Sequence, residues 1–238
     1  MALETIEIVN GIFSLIFVVI STIVGIIIIS KFPKTKQRTF LFVGLSWIGI
    51  ASPYWGSSVS LLVGLATGKG ITPQLYMLIA LTLLPLFFLF WMIAFTDLVF
   101  KDKQKIILII FSIEAIIFEI FFLFYLFTNP IAIGELQSPV NMRYLSFVRI
   151  WLLIHALIFL ITGLLFARKT IKLGTPEMQL KGLFIAIAFI SYMLGASLDI
   201  LFPLGFVINR IILMSSAVEF YFGFTLPDWI KKLLIKQK

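Results

Sequence analysis

Seven apolar stretches, each long enough to cross a bilayer, run along the chain between short polar segments rich in lysine. They lie near residues 8–30, 39–66, 75–100, 106–128, 144–167, 182–203 and 206–224. A helix rises about 1.5 Å per residue, so about 20 residues cross roughly 30 Å of hydrocarbon. Inside lipid a backbone amide has no solvent partner. That leaves helices or a closed barrel, and the in-and-out alternation of barrel strands is absent. The pattern predicts an all-α integral membrane protein, a seven-transmembrane helix bundle over 1–224 followed by a tail over 225–238.

The polar connectors alternate in charge. Lys31, Lys34, Lys36 and Arg38 follow the first span, and Lys101, Lys103 and Lys105 the third. Arg168, Lys169, Lys172 and Lys181 follow the fifth, and Lys231, Lys232, Lys236 and Lys238 the seventh. Fifteen of the 19 basic residues thus fall in four connectors on one side, which the positive-inside rule makes cytoplasmic. The expected placement is multi-pass in the cell membrane, N-terminus outside and C-terminus inside. The expected partners of the surface are the lipid bilayer and, at the basic face, anionic inner-leaflet lipids. A basic excess distributed this way gives no support to nucleic-acid binding.

Composition sharpens this without changing it. The chain has 238 residues, 61% hydrophobic and 13% charged, with a mean hydropathy of +1.13. It has no cysteine, hence no disulfide, thiolate metal site or cysteine nucleophile. The N-terminal MALETIEIVNG is acidic and lacks the basic start of a secretory signal, so the first apolar segment is expected in the mature protein. Between spans four and five, residues 129–142 hold Pro130 and Pro139, which favour bends over regular structure; a connector is the simpler expectation and a lid the other. In the tail, Pro227 suits a first helical position and Asp228 the positive end of the helix dipole. Trp229 and Leu233 then share one side, and Lys231, Lys232 and Lys236 spread over the other. A short interfacial amphipathic helix is predicted, as an anchor or as a docking surface for a cytoplasmic effector protein.

Several chemistries find no residues. All fourteen lysines lie in connectors or the tail, so a covalent retinal, which needs an amine inside the bundle, is excluded as a cofactor. No HExxH, GxSxG, phosphate loop or dinucleotide glycine pattern is present, and no enzymatic activity is expected. His155 is the only histidine, so no metal site is expected.

Ionisable residues at membrane depth are costly unless paired or hydrated, so each is a candidate. Asp199 and Arg210 flank the turn LFPLG at similar height, and the obvious reading is a bridge across that hairpin, with ligand recognition as the sharper one. Glu119 and Arg149 lie at comparable heights, as do Glu114 and His155. On their helices the two glutamates differ by about 140° and the two basic residues by about 120°, so not all four face one partner. Glu119 with Arg149 is the favoured pair. Glu114 could equally sit protonated, and Glu219 lies level with His155; if both face inward the two could share a proton, the bland alternative being a hydrogen-bonded core histidine. Asp97 is expected to solvate near the basic surface.

Two prolines mark bends. Pro53 removes a backbone donor in SWIGIASPYWGSSVS, beside Ser52, and Pro85 does so in span three. Both lie about 14 or 15 residues from the basic ends. Neighbouring helices bending at one level open space, for which Tyr54, Trp55 and Trp91 offer aromatic walls to an amphipathic small-molecule ligand. The bland alternative is that these prolines and aromatics fill core or meet lipid.

Three segments, KTKQRTFLFVGLSW entering span two, TPEMQLKGLF entering span six and AVEFYFGFTLPDWIKK closing span seven, give the chain a resemblance to the seven-helix sensory module at the N-terminus of prokaryotic histidine kinases. That resemblance implies a receptor-like membrane sensor. The chain stops where an output domain would begin, so signal transduction is expected to run through a separate cytoplasmic partner. The alternative is a small transporter or transporter subunit with Glu114, Glu119, Arg149, His155 and Glu219 as its coupling path; a structural subunit of a membrane complex is the third.

Overall fold

The computed structural model describes residues 4–202 and 206–235. Its helices are α1 (Thr5–Ile29), α2 (Phe32–Thr35), α3 (Arg38–Ile50), α4 (Trp55–Thr67), α5 (Pro73–Leu81), α6 (Leu84–Leu98), α7 (Gln104–Thr128), α8 (Ser146–Ile171), α9 (Pro176–Leu201), α10 (Phe206–Thr225) and α11 (Asp228–Leu234). Among the described residues seven helical segments are long and apolar enough to cross a membrane, with α3 and α4 together forming the second and α5 and α6 the third. The fold is that of an all-α, multi-pass membrane protein.

Helix starts follow local chemistry. The Thr72 and Thr175 hydroxyls accept from the amides of Leu75 and Met178, each followed by a proline in the first turn, where no donor is lost. Gly68 and Gly174, at φ 74° and 85°, provide the left-handed residues that end α4 and follow α8.

The spans form a ring in which α1 packs on α3, α4 and α10, α3 on α6, α6 on α7, α8 on α9 and α9 on α10, with α6 also reaching α8 across the interior. Lipid offers apolar side chains no reason to hide, so close approach depends on small residues. A Cβ on Gly44 would stand 2.5 Å from the Gly25 carbonyl oxygen, so α1 and α3 meet backbone to backbone there. Aromatic rings fill the centre. Trp47 stacks on Phe220 with centroids 3.7 Å apart, and Trp91 sits among Phe159, Phe166 and Phe189, its indole N–H donating to Thr162 Oγ1 at 2.7 Å. Between α7 and α8 the ring is joined through long side chains, where Phe118 stacks on Trp151 at 4.0 Å.

The segment after α7 departs from expectation. The prolines of residues 129–142 favour bends over regular structure, yet β1 (Gly134–Ser138) and β2 (Asn141–Tyr144) pair antiparallel, with Glu135 opposite Arg143. Pro139 is accommodated because it lies in the connection between the strands, outside the ladder. Ile133 and Val140 are fully buried, and the hydroxyls of Ser57 and Ser60 on α4 donate to the carbonyls of Val140 and Pro139. The hairpin is therefore a lid latched onto one end of the bundle, the hairpin end; the opposite end carries the lysine-rich connectors. The LFPLG turn falls largely on residues 203–205, outside the described residues.

Candidate functional site

The two proline breaks coincide, as the sequence predicts. Span two passes from α3 through a tight turn at Ser52–Tyr54 into α4, and span three breaks between Leu81 and Leu84. Backbone carbonyls at the breaks are met from neighbours: Ser52 Oγ donates to Ala80 at 2.9 Å, and Tyr192 Oη donates to Ile50 at 3.2 Å. Pro53 and Tyr54 face a cavity of about 70 Å³ beneath β2. At roughly 10–15 Å³ per water, that is room for about five waters with the lid in place.

Arg210 forms the polar floor. Its Nη1 lies 2.6 Å from Asp199 Oδ2, its Nε donates to Ser14 Oγ at 3.2 Å, and the guanidinium covers the Tyr54 ring at 4.2 Å. The Arg210 side chain is 4% exposed and that of Asp199 19%. Ser14 continues the chain of polar contacts. It lies 3.2 Å from Ser57 Oγ, whose proton goes to the Val140 carbonyl at 2.7 Å, because a carbonyl only accepts. Polar contacts thus run from α10 through α1 and α4 to the lid. Tyr76, Tyr144 and Tyr192 also line the cavity. The Tyr144 hydroxyl is buried without a protein partner, and burial pushes its pKa well above the usual phenol range, so it stays a neutral donor.

The predicted Asp199–Arg210 bridge is therefore present, and it meets the pocket predicted from Pro53 and Tyr54. Other expected liners fall elsewhere. Trp55 is edge-on to Phe87, Trp91 is enclosed by core aromatics, and at the second break Leu84 reaches the cavity while Pro85 is buried and does not line it.

The favoured Glu119–Arg149 pair does not form. Both Glu119 carboxylate oxygens are buried without a partner, and no ion pair joins the two residues. Height alone was the wrong guide, because α7 and α8 are splayed apart and meet only where long side chains bridge them. One such bridge is Glu114, which accepts from the Trp151 indole N–H and lies 3.2 Å from His155 Nε2. His155 is therefore not partnered by Glu219, whose Oε2 is buried and unpartnered. His155 Nδ1 lies 3.0 Å from the Trp151 carbonyl oxygen, so Nδ1 carries the hydrogen. Nε2 then faces the Glu114 carboxylate.

Two clusters at the lysine-rich end escaped the sequence reading. Asp97, expected to be solvated, has an 8% exposed side chain gripped by Arg38 at 2.6 and 2.7 Å, Lys101 at 2.6 Å and Gln104 at 2.9 Å. Glu177 holds Lys181 and Lys231, each at 2.7 Å, which ties α11 to the start of α9. The TPEMQLK stretch carries Glu177 four residues before Lys181, a spacing that signals half of that cluster.

Among the described residues no group of three His, Asp or Glu side chains converges as a metal site would require. The bundle and its lid-covered, arginine-floored cavity define the class as a multi-pass helical membrane protein. No protein-family model, no curated protein and no solved structure matches the chain.

Proposed function

We propose that this chain is a receptor-like membrane sensor whose ligand site is the cavity beneath the hairpin, without enzymatic activity of its own. The observation that carries this reading is the position of Arg210, in contact with Asp199 of α9, Ser14 of α1 and Tyr54 at the break of span two, directly under a lid latched by Ser57 and Ser60. A small polar ligand, bearing an anionic or acceptor group that competes with Asp199 for Arg210, alters contacts on four spans at once. Such a ligand shifts the bundle only by its difference in affinity between two arrangements, and the breaks at Pro53 and Pro85 are where the spans bend most easily. The lid end faces outward and the lysine-rich end, with the amphipathic α11, lies at the inner leaflet, where a separate effector protein reads the change. The histidine-kinase resemblance of the sequence agrees with this reading.

A thermal-shift screen of small carboxylates and other acceptor-bearing compounds in nanodiscs tests it. Sensing predicts at least one stabilising compound whose effect is lost in Arg210→Met, with no flux of that compound or of protons in liposomes. Flux abolished by Glu119→Gln would instead establish the transporter reading.

A further inference from the structure

Away from the lid, the splay between α7 and α8 leaves a groove with about 650 Å³ of open space on the lipid side of the bundle. Its walls are apolar, including Ile113, Ile117, Phe121, Ile150 and Ile154, all half or more exposed. It runs from Ile110 to Tyr125, fifteen residues of helix or roughly 22 Å. One charged residue interrupts these walls. Glu114 lies ten residues into the 25-residue α7, near mid-membrane, with 36% of its side chain exposed. Hydrocarbon tails give that surface no partner, and an open carboxylate at this depth is costly. A carboxylate accepts about four hydrogen bonds. Trp151 and His155 account for two, which leaves acceptor capacity on the side open to the groove.

We propose that this groove binds, from within the bilayer, a neutral lipid-soluble molecule about 20 Å long carrying one hydroxyl donor, and that Glu114 accepts from that hydroxyl. The apolar walls select an extended hydrocarbon body, and the single exposed acceptor selects one donor. Neutrality follows from the surroundings, since a cationic ligand would bring a further charge into hydrocarbon. Phe88, which lines the cavity under the lid, stands edge-on to His155 at 4.7 Å and to the groove residue Trp151 at 5.8 Å, so one ring separates the cavity from a groove residue. The groove proposal does not depend on the sensor reading.

Binding of radiolabelled para-dodecylphenol and of its methyl ether to the protein in nanodiscs tests this. The two probes share a body of the right length and differ in the donor. The phenol is expected to bind saturably and at least about tenfold more tightly than the ether, as one hydrogen bond to a charged acceptor provides. Glu114→Leu should bring the phenol down to the ether's level. Ile117→Trp, which fills the groove from its exposed wall, should abolish saturable binding with the melting temperature unchanged, and this holds the test open if Glu114→Leu does not fold. Equal, unsaturable partitioning of both probes means bulk lipid only and overturns the proposal. So does a dimer in native mass spectra that Ile117→Trp dissociates, which would assign the groove to a second copy of the chain.

Discussion

Removing either partner of the Asp199–Arg210 pair should destabilise the bundle unequally. Asp199→Ala strands a guanidinium that is almost fully buried against Tyr54 and Ser14. Leaving a buried charge unpaired costs about 4 kcal/mol, which at 2–4 °C per kcal/mol for a chain of this size lowers the melting temperature by roughly 12 °C. Arg210→Met leaves Asp199, which is 19% exposed to a cavity roomy enough for water to hydrate it. About 2 kcal/mol, or roughly 6 °C, is expected there. The double variant Asp199→Ala/Arg210→Met removes both charges and should fall only about 1 kcal/mol below the parent. Tryptophan-fluorescence melting of all four proteins in nanodiscs gives the coupling as a double-mutant cycle. Additive single effects, or an Asp199→Ala loss no larger than that of Arg210→Met, would refute the buried-pair account.

Ser57→Ala/Ser60→Ala removes both latch donors, so amide exchange across β1 and β2 should accelerate about tenfold by mass spectrometry, with the melting temperature shifted by only about 3 °C. Gly44→Ala places a Cβ against the immovable Gly25 carbonyl and should lower the melting temperature by about 6 °C in the same assay, through a cost of about 2 kcal/mol. Asp97→Asn weakens the grip on Arg38 and Lys101, which are themselves more than half exposed and rehydrate, so a loss of only about 1 kcal/mol is expected.

What could be read in the sequence was whatever depends on length, periodicity and backbone chemistry. Seven apolar runs gave the seven spans, and Pro53 and Pro85 gave two breaks at one level, because a missing N–H acts locally. The Asp199–Arg210 bridge was legible because a short connector fixes the relative height of the helices it joins. Glu119 and Arg149 failed because equal height says nothing about how far two helices stand apart or which way each is rotated, and α7 and α8 are splayed. The same unknown rotation hid the Glu114–Trp151–His155 contact and turned Trp55 and Trp91 away from the cavity. The hairpin was missed because Pro130 and Pro139 read as breakers throughout, although each lies outside the ladder. Asp97 and Glu177 gather their lysines and arginine from different connectors, a convergence that only the assembled lysine-rich end displays.

The most direct test of the central claim, that the lid-covered cavity floored by Arg210 is a ligand site, is native mass spectrometry of gently extracted protein compared with Asp199→Ala/Arg210→Met, a variant expected to keep the fold. The account predicts a small-molecule adduct on the parent that is missing from the variant. An identical adduct pattern on both proteins would contradict it.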